Sequence, residues 1–185
     1  MHRLALALIA ALALVLAGCA SKAAQNPPPS TIGATASFTD PRGDTADPDG
    51  VPRRGRPDVD IVSVGIDRNA ARTLFSITTA GAPRGPLRYE IFGETGDVSG
   101  YDVVKVTREA HKLTGYVAFE DSVARQQLAE PQSLSQNGRT LAVNVPIDPI
   151  FGGTPFEWRV SVATGRGAPI SDALPSPTGT SRFPR

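Results

Sequence analysis

The chain has 185 residues, with nineteen basic and eighteen acidic side chains, one cysteine and one tryptophan. So even a charge balance gives no electrostatic footprint for nucleic acid, and a single cysteine rules out an internal disulfide. The length suits one domain and a tether rather than two domains.

Arg3 precedes an unbroken apolar run of thirteen residues, Leu4 to Leu16. A bilayer-crossing helix needs about 20, whereas a signal-peptide core takes roughly 7–15. Small Ala17 and Gly18 follow, then Cys19. Leu16-Ala17-Gly18-Cys19 resembles the lipobox of bacterial lipoproteins. The resemblance implies that residues 1–18 are a leader cut before Cys19, that the Cys19 thiol carries a diacylglyceryl group, and that fatty acid such as palmitate caps the new terminus. The other reading is an ordinary secretory signal with an incidental cysteine, although Cys19 has no thiol partner in the chain. Each buried CH₂ contributes about 0.8 kcal/mol, so two or three acyl chains anchor lastingly where one does not. Ala20-Ser21 lacks the Asp that resembles an inner-membrane retention signal. The expected location is therefore the cell envelope, outside the cytoplasm: the outer membrane where there is one, otherwise the outer face of the cell membrane. Residues 19–33 carry Pro27-Pro28-Pro29 and no apolar periodicity, which predicts a flexible tether stiffened by polyproline II.

From residue 34 the pattern is that of strands. Val62, Val64 and Ile66 alternate, then Phe75 and Ile77, Leu87-Tyr89-Ile91, Val104 and Val106, and Leu113-Val117-Phe119. The clearest sets come last, Leu141-Val143-Val145-Ile147 and Phe156-Trp158-Val160-Val162. Alternation with period two predicts sheets with one face buried, and Gly, Asn and Pro clusters such as Gly96 to Gly100 separate the runs. Only Asp121 to Ala129, ended by Pro131, suggests a helix. The expected fold is all-β: an antiparallel sandwich or jelly roll of about eight strands with at most one short helix, spanning 34–175, with 176–185 as a surface tail.

Residues 40–60 hold six aspartates, Asp40, Asp44, Asp47, Asp49, Asp58 and Asp60, on Gly- and Pro-shaped turns. Carboxylates that converge suit Ca²⁺, which takes 6–8 oxygen ligands. Asp60 shares the parity of Val62, Val64 and Ile66, so it is expected to point inward, where a carboxylate needs a cation or N–H donors. Asp172 is near enough to the other terminus to join it across a sandwich. Asp40, Asp44, Asp60 and Asp172 are thus the candidate calcium ligands. The competing reading is that Arg42, Arg53, Arg54 and Arg56 in the same span pair the acids and that the aspartates only shape turns.

Asp40-Pro41-Arg42-Gly43-Asp44, Asp58-Val59-Asp60-Ile61-Val62-Ser63-Val64, Thr73-Leu74-Phe75-Ser76-Ile77, Glu157-Trp158-Arg159-Val160 and Asp172-Ala173-Leu174-Pro175 together resemble secreted β-sandwiches of the DOMON-like superfamily, similar to family 9 carbohydrate-binding modules. The resemblance implies a jelly roll, sometimes with structural calcium, used to bind sugar or haem. The chain departs from the binders: its one tryptophan, Trp158, alternates with apolar residues and is expected in the core, and beyond the leader it offers only His111 and no methionine as haem ligands. One histidine supplies neither a zinc site nor, with no Gly-x-Ser-x-Gly elbow, a hydrolase triad. Arg42-Gly43-Asp44 is explained by its turn. Among Tyr89, Tyr101 and Tyr116 only Tyr101, beside Gly100, is expected at an exposed loop.

The reading is a lipid-anchored extracytoplasmic binding module rather than an enzyme, its ligand unassigned (a carbohydrate is one option), with contacts on the loop from Gly96 to Tyr101 or on a sheet face. An envelope-structural or assembly lipoprotein that engages another protein by a sheet edge is the first alternative. A small hydrolase using acids of residues 40–60 is the second.

Overall fold

A computed structural model describes residues 33–94, 101–120, 125–146, 155–167, 169–175 and 179–183. Among them the regular elements are all strands, twelve in number and paired antiparallel throughout. Strands β1 (Thr35–Thr39), β2 (Ile61–Arg68) and β3 (Arg72–Thr79) form a meander, and the chain then crosses to a second sheet. There β4 (Leu87–Glu94), β5 (Tyr101–Glu109), β6 (Lys112–Glu120) and β7 (Arg125–Ala129) form a second meander. The hairpin of β8 (Ser133–Asn137) and β9 (Thr140–Pro146) returns to the first sheet, and β10 (Phe156–Thr164), β11 (Ser171–Leu174) and β12 (Ser181–Phe183) complete the second. The first sheet has order β1-β2-β3-β9-β8; the second has order β11-β10-β4-β5-β6-β7, with β12 also on β10.

The strands fold this way because their inward positions are apolar. Phe75 and Ile77 on β3, Leu87, Tyr89 and Ile91 on β4, Leu141, Val143 and Val145 on β9, and Phe156, Trp158, Val160 and Val162 on β10 are all buried in one core between the sheets. Burying each such side chain contributes roughly 1.5–3 kcal/mol. Trp158 is fully buried, as its alternation predicts, and its ring meets Phe38 of β1 edge-on at 4.6 Å. The two layers form the expected β-sandwich.

Four details correct the sequence reading. The described residues hold twelve strands rather than about eight, because short polar strands such as Ser133–Asn137 are held by their neighbours and carry little apolar pattern of their own. The helix expected over Asp121 to Ala129 is not formed: Arg125–Ala129 is β7, paired to β6, and residues 121–124 lie outside the described residues. An open sheet edge outweighs weak helix propensity there. The tail is not all surface, since Ser181–Phe183 is a strand with Phe183 fully buried. Phe183 and Phe156 lie 5.2 and 4.7 Å from the guanidinium carbon of buried Arg68, a cation–π arrangement that closes one end of the sandwich. Burial draws Arg68 down to about 10. Finally, a bulge between Ile61 and Ser63 shifts the parity of β2, so Ile61, Val64 and Ile66 are the core residues and Val62 is only half-buried.

Gly165, where β10 turns toward β11, packs directly on the chain entering β4. Its N–H donates to the Pro86 carbonyl at 2.8 Å, and a Cβ there would stand 2.8 Å from Pro86 Cβ and 3.1 Å from Pro86 backbone atoms. Backbone yields less readily than a side-chain tip, so Gly165→Ala is expected to cost about 1–3 kcal/mol. Thermal denaturation measures it; an unchanged melting temperature would mean that the two loops separate without cost.

Candidate metal centre

Residues 40–60 form a loop that leaves β1, crosses the end of the sandwich and enters β2. Two ties hold it to the far terminus. Ala46 and Ser171 exchange backbone hydrogen bonds of 2.9 and 2.8 Å, an isolated bridge from the loop to β11. The Ile61 N–H, at the head of β2, donates to Asp172 Oδ2 at 2.6 Å. These ties bring residues 40–44 beside residue 172.

Two of the loop's four arginines, Arg53 and Arg56, are taken up by other aspartates. Arg56 donates from Nε and Nη2 to the two oxygens of Asp58, both at 2.9 Å, and Arg53 forks onto Asp47 Oδ2 at 2.9 and 2.6 Å. Asp58 is fully buried and also accepts from the Arg84 N–H at 3.3 Å. Burial pushes its carboxyl up, and the Arg56 fork outweighs burial and holds it below the usual range. Asp47 is held low first by the Val51 N–H and then by Arg53.

The remaining acids are arranged differently. Asp40, Asp44 and Asp172 each place a carboxylate oxygen so that all three lie within 4.8 Å of one another. Among the described residues none of the three is ion-paired to Lys or Arg. Asp172 is 5 % exposed, and its Oδ1 accepts from its neighbour Ala173 N–H at 2.8 Å. Asp40 is half-buried, and its Oδ2 is buried with no hydrogen-bond partner. Burial, then the charges of Asp44 and Asp60, push the Asp40 carboxyl up to about 6. Burial pushes Asp172 up to about 7, against the Ile61 and Ala173 donors and with the charges of Asp44 and Asp40 adding to the rise. Three anions gathered with one buried oxygen unsatisfied are what a hard divalent cation offsets.

Three of the four predicted ligands therefore converge, and Asp60 stands apart. It is buried, but the bulge in β2 undoes its parity argument: both its oxygens accept the Gly43 N–H, at 3.0 and 3.1 Å, beneath the loop rather than in the core. Gly43 has φ +86°, a conformation open to glycine and strained for other residues, which lets the turn lay its N–H on Asp60. No protein-family model, curated protein or solved structure matches this chain.

The other predicted positions are placed as follows. His111 is exposed in the two-residue turn between β5 and β6. Tyr89 is buried in the core, and burial raises its hydroxyl to about 12. Tyr101 opens β5, half-buried, with its ring centroid 4.7 Å from that of Phe92. Cys19, the leader, the tether up to residue 32 and the loop 95–100 lie outside the described residues. The sequence reading missed the outward-facing set Glu90, Phe92, Lys105 and Arg159 around Tyr101; their alternation with buried neighbours on β4, β5 and β10 was the signal available.

Proposed function

We propose that this chain is a lipid-anchored binding module of the cell envelope, moored through acylated Cys19 outside the cytoplasm, with a structural Ca²⁺ clasping its opening loop to β11. The observation that carries the reading is the division of the acids: Arg53 and Arg56 neutralise Asp47 and Asp58, while Asp40, Asp44 and Asp172 meet without an ion pair to Lys or Arg among the described residues. Those three would hold the ion, and carbonyl oxygens or water would complete its shell. Its role would be to fix the loop, not to turn over a substrate, because Asp172 is 5 % exposed and one of its oxygens already caps the head of β2 while the other accepts from Ala173 N–H. Binding rather than catalysis also accords with the sandwich architecture and with the DOMON-like motifs in the sequence, which support the reading as a resemblance only.

The anchor is tested by Cys19→Ser. The substituted chain is expected in the soluble fraction after membrane sedimentation and to lose incorporation of labelled palmitate; a chain that stays with the membrane unlabelled would remove the anchor from the reading. Calcium is tested by thermal denaturation with and without the ion, argued below.

A further inference from the structure

The chain is close to neutral, but the fold sorts its charges. The tether enters the sandwich at Gly33, beside the strand ends Arg68, Glu94, Tyr101 and Phe156. The strand ends that flank residues 95–100, 121–124 and 147–154 stand at this same end. Four connections meet at the opposite end. Residues 40–60 join β1 to β2, residues 80–86 join β3 to β4, Gly138-Arg139 joins β8 to β9, and residues 165–170 join β10 to β11. Hydrogen bonds knit them together: Gly81 N–H donates to the Pro57 carbonyl at 2.6 Å, Thr79 N–H to the Arg139 carbonyl at 3.1 Å, and Gly165 N–H to the Pro86 carbonyl at 2.8 Å.

With Asp172 of β11, these four segments carry seven arginines and seven aspartates and no other charge. Their exposure is unequal. Arg53 and Arg56 are paired to Asp47 and Asp58, while Asp40 is half-buried and Asp60 and Asp172 are buried. Arg42, Arg54, Arg84, Arg139 and Arg166 are exposed, and among the described residues none of these five guanidinium groups has a hydrogen bond or ion pair. The exposed acids facing them are Asp44 and Asp49. At the adjoining β5–β6 hairpin, Arg108 and Lys112 against Glu109 add one more positive charge. The charges that act on Asp40 and Asp172 are those of other aspartates, so the five guanidiniums lie away from that cluster.

We propose that this arginine face binds an anionic glycan of the envelope, one that carries a carboxylate or phosphate group on repeating sugar units. The proposal rests on the reading of the domain as a tethered binding module and names its ligand class. Five unpaired guanidiniums against two exposed carboxylates complement repeated negative charge, and each planar fork matches a pair of carboxylate or phosphate oxygens. A groove of about 400 Å³ is lined by Arg42 and Arg54 together with Arg56, Asp60, Gly43 and Gly55. It sets one acceptor, Asp60, for a sugar hydroxyl among donors for acid groups. Placement selects a polymer over the lipid of the mooring membrane. The nine residues of β10 span about 30 Å, so the arginine face looks away from the end at which the tether joins.

The test is calorimetric titration of the full-length chain in detergent micelles, with Ca²⁺ present. The probes are a short galacturonate oligomer, a phosphorylated mannose oligomer and a neutral galactose oligomer. The acidic oligomers are expected to bind at least about tenfold more tightly than the neutral one, and the tighter of the two names the acid group. Their affinity should fall severalfold between about 50 and 200 mM salt. Arg42→Gln combined with Arg54→Gln should weaken acidic binding by about fivefold or more. The melting temperature of that variant should match the parent's, since neither side chain makes a bond in the fold. Arg182→Gln, on β12 at the tether end, should bind as the parent does. Equal affinity for acidic and neutral oligomers, or acidic binding unmoved by the double variant, would overturn the arginine face and leave the binding-module reading in place. No response to any glycan, in a chain whose melting temperature still rises with Ca²⁺, would overturn the glycan assignment and spare the calcium clasp. Adsorption of the Cys19→Ser chain to phosphatidylglycerol vesicles, without glycan binding, would assign the face to lipid headgroups and overturn the proposed partner.

Discussion

Adding Ca²⁺ to the metal-stripped protein at neutral pH is expected to raise its melting temperature by about 5–10 °C. A ligand that binds only the native state stabilises it by about 2.7 kcal/mol at a hundredfold excess over Kd, and about 2–4 °C follows per kcal/mol at this size. The substitution that separates a cation site from a mere cluster is Asp40→Asn. Asp40 has a buried oxygen with no partner, so an amide there loses no hydrogen bond and gains a donor facing Asp44 and Asp172. Without ion, Asp40→Asn should be as stable as the parent or more so; with ion, its rise should be lost. Asp172→Asn should also lose the rise but at a cost in the ion-free state, since Ile61 and Ala173 N–H groups are held by different oxygens and the amide replaces one of these with a donor. The pH profile follows from the same groups. Asp40 and Asp172 are raised to about 6 and 7 in the folded protein, so between about pH 4 and 7 the native state binds more protons than the unfolded chain. Ion-free stability should therefore fall as pH rises through that window, and Ca²⁺, which needs both groups ionised, should cancel the fall. A flat ion-free profile together with no calcium response would remove the site.

Much of the fold is legible because inward positions repeat. Strands β3, β4, β9 and β10 alternate so regularly that their cores can be written from the sequence. Strands β7, β8, β11 and β12 are another matter. Gln126-Gln127 and Ser133-Leu134-Ser135-Gln136 have too little apolar content to announce a strand, and what fixes them is an edge already made by β6 or β9. A single bulge in β2 was enough to misplace Val62 and to send Asp60 to Gly43. The site divides in the same way. That six aspartates crowd residues 40–60 is plain from the chain; which of them Arg53 and Arg56 would take is a matter of turn geometry. That Asp172 joins Asp40 and Asp44 depends on a hydrogen bond spanning 111 positions and on the Ala46–Ser171 bridge. Local pattern carries no information about either.

Arg56→Met is expected to destabilise the domain by about 2–4 kcal/mol, some 4–16 °C, at neutral pH. Methionine keeps the apolar stem and removes the fork, leaving the fully buried Asp58 with the Arg84 N–H at 3.3 Å as its main remaining donor from another residue. Removing one partner of a buried pair is costly because the other charge stays desolvated, whereas Arg53→Met, at an exposed pair whose Asp47 also accepts from backbone N–H groups, should shift melting little. Acid distinguishes this from lost packing. In the parent, Asp58 is held below its unfolded value near 3.8, so the pair's contribution is complete above that value and is lost as pH falls through the lower, folded one. In the variant, burial outweighs the backbone donors that remain and the Asp58 carboxyl rises, so the variant should gain stability relative to the parent as pH drops from 7 to 4. The two melting curves should draw together as pH falls below about 4. A deficit of the same size at pH 3 and pH 7 would assign the loss to the arginine stem and leave the ion pair without a role in stability.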